Sequence, residues 1–183
     1  QGFRLSVVPR DPYRYGMSLV LDEASSLLLK SEINDGSGRV IERFQFVDVR
    51  IGGDIAAAEL AAETPAARRA PGHEALPPEP APFAWTVAWL PPGFMPTGRE
   101  LRRVPGSDKA VELQSYTDGL AVFAVFVERD SERPERAGQA ARGATVSYVV
   151  PRGEKHLVTV VGEIPLQTAQ LVANSVNFPD AEP

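Results

Sequence analysis

The chain has no cysteine among its 183 residues. Disulfide frameworks, thiolate metal sites and cysteine nucleophiles are therefore excluded. Histidine is almost as scarce, with only His73 and His156. A metal site would need further ligands at fixed spacing, and none accompanies either residue. No stretch reaches the roughly 18 consecutive apolar residues that a helical membrane span requires. Acidic residues (24) outnumber basic ones (19), for a formal net charge of −5. A nucleic-acid partner, which needs a basic face, is not expected. There is no Gly-x-Ser-x-Gly elbow, and no glycine-rich loop opens a helix. Gly36 and Gly38 lie between strand candidates and read as turn residues. The chain thus reads as non-catalytic, with no cofactor. No export signal is visible either. The chain begins at Gln1 rather than Met, and its first residues read as the middle of a fold, as expected of a processed or truncated piece.

Aromatic residues are also missing from one long internal stretch, since none occurs between Phe46 and Phe83. This gap divides the chain. Before it, residues 1–53 read as strands. Tyr15, Met17, Leu19 and Leu21 alternate with Gly16, Ser18, Val20 and Asp22, the period of a half-buried strand. Ser26–Ile33 is a second run, Asn34-Asp35-Gly36-Ser37-Gly38 is turn chemistry, and Val40–Val49 is a third run. Phe44 and Phe46 share one face of it. The expectation is a three-stranded antiparallel meander, too small to stand alone. Residues 54–82 read as a linker: Ala56–Ala62 suits a short helix, and six prolines from Pro65 to Pro82 preclude a regular element.

Residues 83–178 read as a second compact unit, followed by a short tail, 179–183. Strand candidates are Trp85–Trp89, Glu100–Val104, Val111–Tyr116, Leu120–Glu128, Ala144–Val150 and His156–Val161. Asp118-Gly119 suggests a two-residue hairpin turn. Leu120–Val127 is apolar on both faces, which predicts a central strand. Residues 129–143, charged and small, read as an exposed loop. Pro165 suits a helix start, and Leu166, Ala169, Val172, Ala173 and Val176 then form one apolar stripe. The fold class is α+β: an antiparallel sheet closed by one C-terminal helix, preceded by a few antiparallel strands.

Three features stand out as interaction candidates. Trp85 and Trp89 lead into Leu90-Pro91-Pro92-Gly93-Phe94; core packing is the plainer account, and a platform for a partner the sharper one. Arg99, Arg102 and Arg103 form either a solvated edge or a contact for an acidic segment. The 129–142 loop reads as disorder unless it carries binding function.

Several blocks together resemble the RseB/MucB family of sigma-E regulators. Tyr15–Asp22, Leu27–Ser31 and Arg43–Phe46 are similar to the last strands of that family's large domain. Trp89–Phe94, Tyr116–Phe123 and Val158–Pro165 are similar to its small C-terminal domain. The blocks occur in the family's order, and the proline-rich stretch falls where the family has its linker. The resemblance implies a large domain shaped like a lipoprotein-carrier (LolA-like) half-barrel, here mostly missing, and a smaller α+β domain. It implies a periplasmic protein that binds the periplasmic region of an RseA/MucA-type anti-sigma factor and hinders its site-1 proteolysis. Lipid or lipopolysaccharide would engage the large domain. A lipid or lipoprotein carrier is the alternative, and self-association is left open. A partner patch is expected to use Trp89, Phe94 and Tyr116 as apolar anchors, with Arg99 and Arg103 steering charge.

Overall fold

The computed structural model describes residues 2–60, 83–103, 110–129, 137–153 and 155–178. The first sheet has four strands: β1 (Gly2–Val7), β2 (Gly16–Asp22), β3 (Leu28–Asn34) and β4 (Val40–Gln45), each antiparallel to the next. The meander is therefore one strand longer than the sequence reading had it. Phe3, Leu5 and Val7 pair with Leu21, Leu19 and Met17, so the period of two had already begun at the chain start. The same pairing continues through Met17↔Ile33 and Ser31↔Phe44, which puts these apolar side chains on one face. That face is sparsely covered, with Phe3 42%, Leu5 44% and Phe44 52% exposed. The opposite face is polar, and there Glu32 is held by Lys30 and Arg43 at 2.8 Å each.

The β3–β4 turn is built as its residue types demand. Asp35 Oδ1 accepts hydrogen bonds from the Ser37 hydroxyl and from the Ser37 and Arg39 amides, and Gly38 supplies the left-handed φ of +82°. Those bonds, the Ser37 hydroxyl first, hold the Asp35 carboxyl down to about 2. After β4, a single 3₁₀ turn (Ala57–Leu60) is what forms of the Ala56–Ala62 helix within the described residues. The rest of the linker, with His73, lies outside them.

The second unit opens with β5 (Thr86–Val87), then β6 (Met95–Arg103), β7 (Ala110–Thr117), β8 (Val122–Arg129), β9 (Gly138–Arg142), β10 (Thr145–Arg152), β11 (His156–Gly162), helix α1 (Leu166–Asn174) and β12 (Val176–Asn177). Six of these strands form one sheet in the order β6-β7-β8-β11-β10-β9, and β5 pairs with β12. The central position of β8 matches its apolar run. Phe123, Val125 and Val127 on β8, with Val158 and Val160 on β11, are at most 1% exposed and form the core floor. Helix α1 packs over β10 and β11 and buries Thr168, Ala169, Val172 and Ala173.

Four expectations are corrected here. Only Thr86 and Val87 form a strand in the Trp85–Trp89 run, because the following amides bond to Ser175 instead: Ala88 N–H to its carbonyl and Trp89 N–H to its hydroxyl. The strand expected at Glu100–Val104 begins earlier, at Met95; Pro96 lies next to a register shift on the edge strand, where a missing donor is tolerated. Residues 138–142 are a strand rather than loop, since the small residues of β9 pair with β10 at the sheet edge. The β7–β8 hairpin has four connecting residues, Asp118–Ala121, rather than two. The Asp118 carboxylate caps the Leu120 and Ala121 amides and so replaces part of the ladder.

Candidate functional site

Two concave regions are prominent among the described residues. The first lies where the four-stranded sheet meets the second unit. The loop between β1 and β2 reaches across through Tyr13 and Arg14. Asp11 Oδ1 accepts from the Tyr13 amide and from Arg14 Nε, which aims the guanidinium. Arg14 Nη1 then donates to Asp118 Oδ2 at 2.6 Å, and Nη2 donates to the Pro92 carbonyl. The guanidinium also sits 5.2 Å from the Phe94 ring centroid. Beside it, the Thr168 hydroxyl donates to the Tyr13 carbonyl at 2.9 Å, and the Tyr13 ring meets Trp89 edge-on at 5.1 Å. A second bridge joins the units where the exposed Glu42 accepts the Ala144 amide at 2.8 Å. Between these contacts opens a cleft of about 440 Å³, with Val7, Met17, Ile33 and Leu120 among its apolar walls and Arg10, Arg14, Asp118 and Glu163 at its margins.

The second region belongs to the second unit alone, between the 83–90 segment and strands β6 and β7. It is a pocket of about 200 Å³ over the β6–β7 end, beyond the reach of helix α1, lined by Phe83, Trp85, Leu90, Pro96, Arg99 and Tyr116 among others. Phe83 stacks on Trp85 at 5.4 Å, and Arg99 lies 5.3 Å above the Phe83 ring. Trp85 Nε1 donates to Glu112, whose carboxylate also pairs with Arg129 at 3.0 Å. Burial pushes the Tyr116 hydroxyl up to about 12.

The five residues singled out in the sequence are distributed unevenly. Phe94 (5% exposed) and Tyr116 (6%) are packed around Phe123, at 5.1 Å each, so their rings belong to the core and offer little exposed apolar surface. The cause is geometric: the Pro91–Gly93 turn brings the chain back over the sheet, with Gly93 at φ +86°, instead of leading it away. Trp89 is half-buried against Tyr13. Arg99 is exposed and lies with Tyr116 at the small pocket, while the Arg103 side chain lies outside the described residues. Sequence reasoning passed over Arg14, Asp118 and Glu42 as inter-unit contacts. Nothing local marks them, because each partner is about 80 to 100 positions away in sequence.

Among the described residues, no group of three or more His, Cys, Asp or Glu is placed to hold a metal ion. No helix among them is long and apolar enough to cross a membrane.

The MucB/RseB N-terminal domain family matches residues 2–64, and the MucB/RseB C-terminal domain family matches residues 79–177. The sigma factor AlgU regulatory protein MucB of Pseudomonas aeruginosa is 37% identical over 180 residues, covering 94% of this chain and 54% of that protein. The sigma-E factor regulatory protein RseB of Escherichia coli K12 is 31% identical, covering 97% of this chain and 55% of RseB. The chain therefore spans about half the length of these relatives. The crystal structure of MucB in complex with MucA(peri) superposes with a TM-score of 0.79 at 36% identity, over 98% of this chain and 63% of that one. Another crystal structure of MucB gives 0.63 at 34% identity, over 96% and 57%. Matched along nearly its whole length by relatives of this kind, with its two units in the same order, the chain belongs to the MucB/RseB family.

Proposed function

We propose that this chain is the partner-binding part of a non-catalytic periplasmic regulator. In this reading it binds the periplasmic region of an RseA/MucA-type anti-sigma factor and shields it from site-1 proteolysis, which restrains the sigma-E envelope stress response. The observation that carries the reading is the superposition of 98% of this chain on MucB taken from its complex with MucA(peri). The cleft between the units supports it, being apolar-walled with charged margins, as protein interfaces are. We assign residues 1–53 to the end of the large domain, 54–82 to the linker and 83–178 to the small domain. Trp89 and Phe94 then act from behind, by holding the Tyr13–Arg14 loop that shapes the cleft.

The test is calorimetric titration of the chain with the anti-sigma factor's periplasmic segment, followed by site-1 protease digestion of the mixture. Binding at micromolar affinity or better, about −8 kcal/mol, with slowed cleavage is expected. Absence of binding by the intact, folded full-length protein refutes the reading. A lipid carrier or sensor is the second reading. It is favoured by the exposed apolar face of the first sheet, where Phe3, Leu5 and Phe44 are 42–52% exposed. Lipid recovered by solvent extraction of the purified protein, and lost on Phe44→Ser, supports it.

A further inference from the structure

The small pocket on the six-stranded sheet has three properties that point to a specific kind of guest. Its volume, about 200 Å³, is below the roughly 300–1,000 Å³ of small-molecule sites and suits a single aliphatic side chain. Its walls are aromatic, and its only charged lining residue is Arg99. Two polar groups there are unpaired. Gln114, itself only 3% exposed, fixes Arg99 by accepting Nε at 2.6 Å, while its own amide donates to the Gly98 and Ser115 carbonyls. This leaves the two terminal guanidinium nitrogens of Arg99 without a protein acceptor among the described residues. The Tyr116 hydroxyl likewise has no hydrogen-bond partner among them; the residue is only 6% exposed, but its hydroxyl is not among the buried polar atoms and so opens at the pocket. A solvent-reached hydroxyl on a buried ring and an aligned guanidinium, both left open beside an aromatic pocket, form an arrangement suited to an interface hot spot.

We propose that this pocket reads one aliphatic side chain of the anti-sigma segment together with a neighbouring carboxylate. The aliphatic group enters between Phe83, Trp85 and Pro96. The carboxylate accepts both terminal N–H groups of Arg99, and the Tyr116 hydroxyl donates to the same carboxylate or to the segment's backbone carbonyl. Gln114 is a positioning residue, since it holds the guanidinium fork at the pocket mouth. This assignment rests on the partner reading given above.

The experiment measures affinity for the periplasmic segment by calorimetry, and Tm in parallel, for the full-length protein and for Tyr116→Phe, Arg99→Gln and Arg99→Lys. Each carboxylate of the segment is also replaced in turn by its amide. Tyr116→Phe should weaken binding about 3- to 10-fold and Arg99→Gln roughly 10- to 100-fold, with Arg99→Lys between wild type and Arg99→Gln and Tm unchanged. One amide replacement should weaken binding to wild type yet add nothing in Arg99→Gln. If wild type binds and no carboxylate couples to Arg99, the pocket assignment falls while the partner reading stands. If wild type itself does not bind, both fall. Should Tyr116→Phe lower Tm, the exposed Arg99 and its cycle decide alone.

Discussion

Arg14→Met should separate the docking of the two units from the folding of each. The Arg14 side chain is 20% exposed and its partner Asp118 only 8%, so their 2.6 Å bond is largely shielded. A charge-assisted hydrogen bond of this kind contributes about 1.5–3 kcal/mol. The bond to the Pro92 carbonyl adds about 1 kcal/mol, and the stacking of the guanidinium over Phe94 about 0.5–1 kcal/mol. Met keeps the aliphatic stem, and Asp118 keeps the Leu120 and Ala121 amides as donors, so the penalty for an orphaned carboxylate is partial. The expected loss is about 3–5 kcal/mol. It falls on the seam, because Arg14 belongs to the loop ahead of the first sheet's second strand while every group it reaches apart from Asp11 belongs to the second unit. Urea unfolding followed by tryptophan fluorescence and by circular dichroism provides the assay. Trp89 reports the seam directly through its contact with Tyr13. In the variant, the fluorescence transition should precede the circular-dichroism transition, breaking two-state behaviour. A cycle with Asp118→Asn should give a coupling of at least ~1 kcal/mol. Additivity within about 0.3–0.5 kcal/mol would mean that the ion pair does not join the units.

Three further outcomes are expected. Val172→Asp, at 0% exposure, should cost several kcal/mol, roughly 3–5, in thermal unfolding, whereas Leu171→Asp, at 40% exposure, should cost about 0.5 kcal/mol or less. Gly162→Ala should destabilise strongly by the same measurement, because the new methyl would press into the Phe123 backbone and the Val122 carbonyl, neither of which can swing aside. With Asp35 held near 2 in the folded state and near 3.9 when unfolded, its contribution is complete above about pH 4 and is lost as pH falls through about 2. Asp35→Ala should therefore flatten the acid limb of stability against pH across that window, as read by chemical denaturation at stepped pH.

How much of this was legible beforehand depended on whether the deciding partner was near in sequence. The apolar run 120–127 announced a central strand, and Leu166, Ala169, Val172 and Ala173 announced a helix face, because both patterns are local periodicities. The strand at Gly2–Val7 was equally legible, since Phe3, Leu5 and Val7 carry the period. The long hairpin at Asp118 was not, because Asp-Gly favours a tight turn and only the carboxylate's capping bonds reveal the wider one. The strand at 138–142 reads as loop, being made of small and polar residues that only pairing with the next strand organises. Residue type singled out Arg99 and Tyr116, which line the small pocket, but could not tell an aromatic in the core from one on a surface. Phe94 shows the failure, since its burial follows from the backward turn at Pro91–Gly93.

The pairing of Thr86–Val87 with Val176–Asn177 has a mechanical consequence. The small unit's chain enters at residue 86 and leaves at residue 177, and these two positions face each other in an antiparallel ladder. Tension applied between the preceding unit and the far end therefore peels this ladder one bond at a time, instead of loading its bonds together in shear. The same pull then reaches Ser175, whose backbone and hydroxyl hold Ala88 and Trp89, and next the Trp89–Tyr13 contact at the seam. A tug on the C-terminal end is thus relayed toward the cleft between the units, while Trp85 on Glu112 and the buried Val176 tie the same ladder to the six-stranded core.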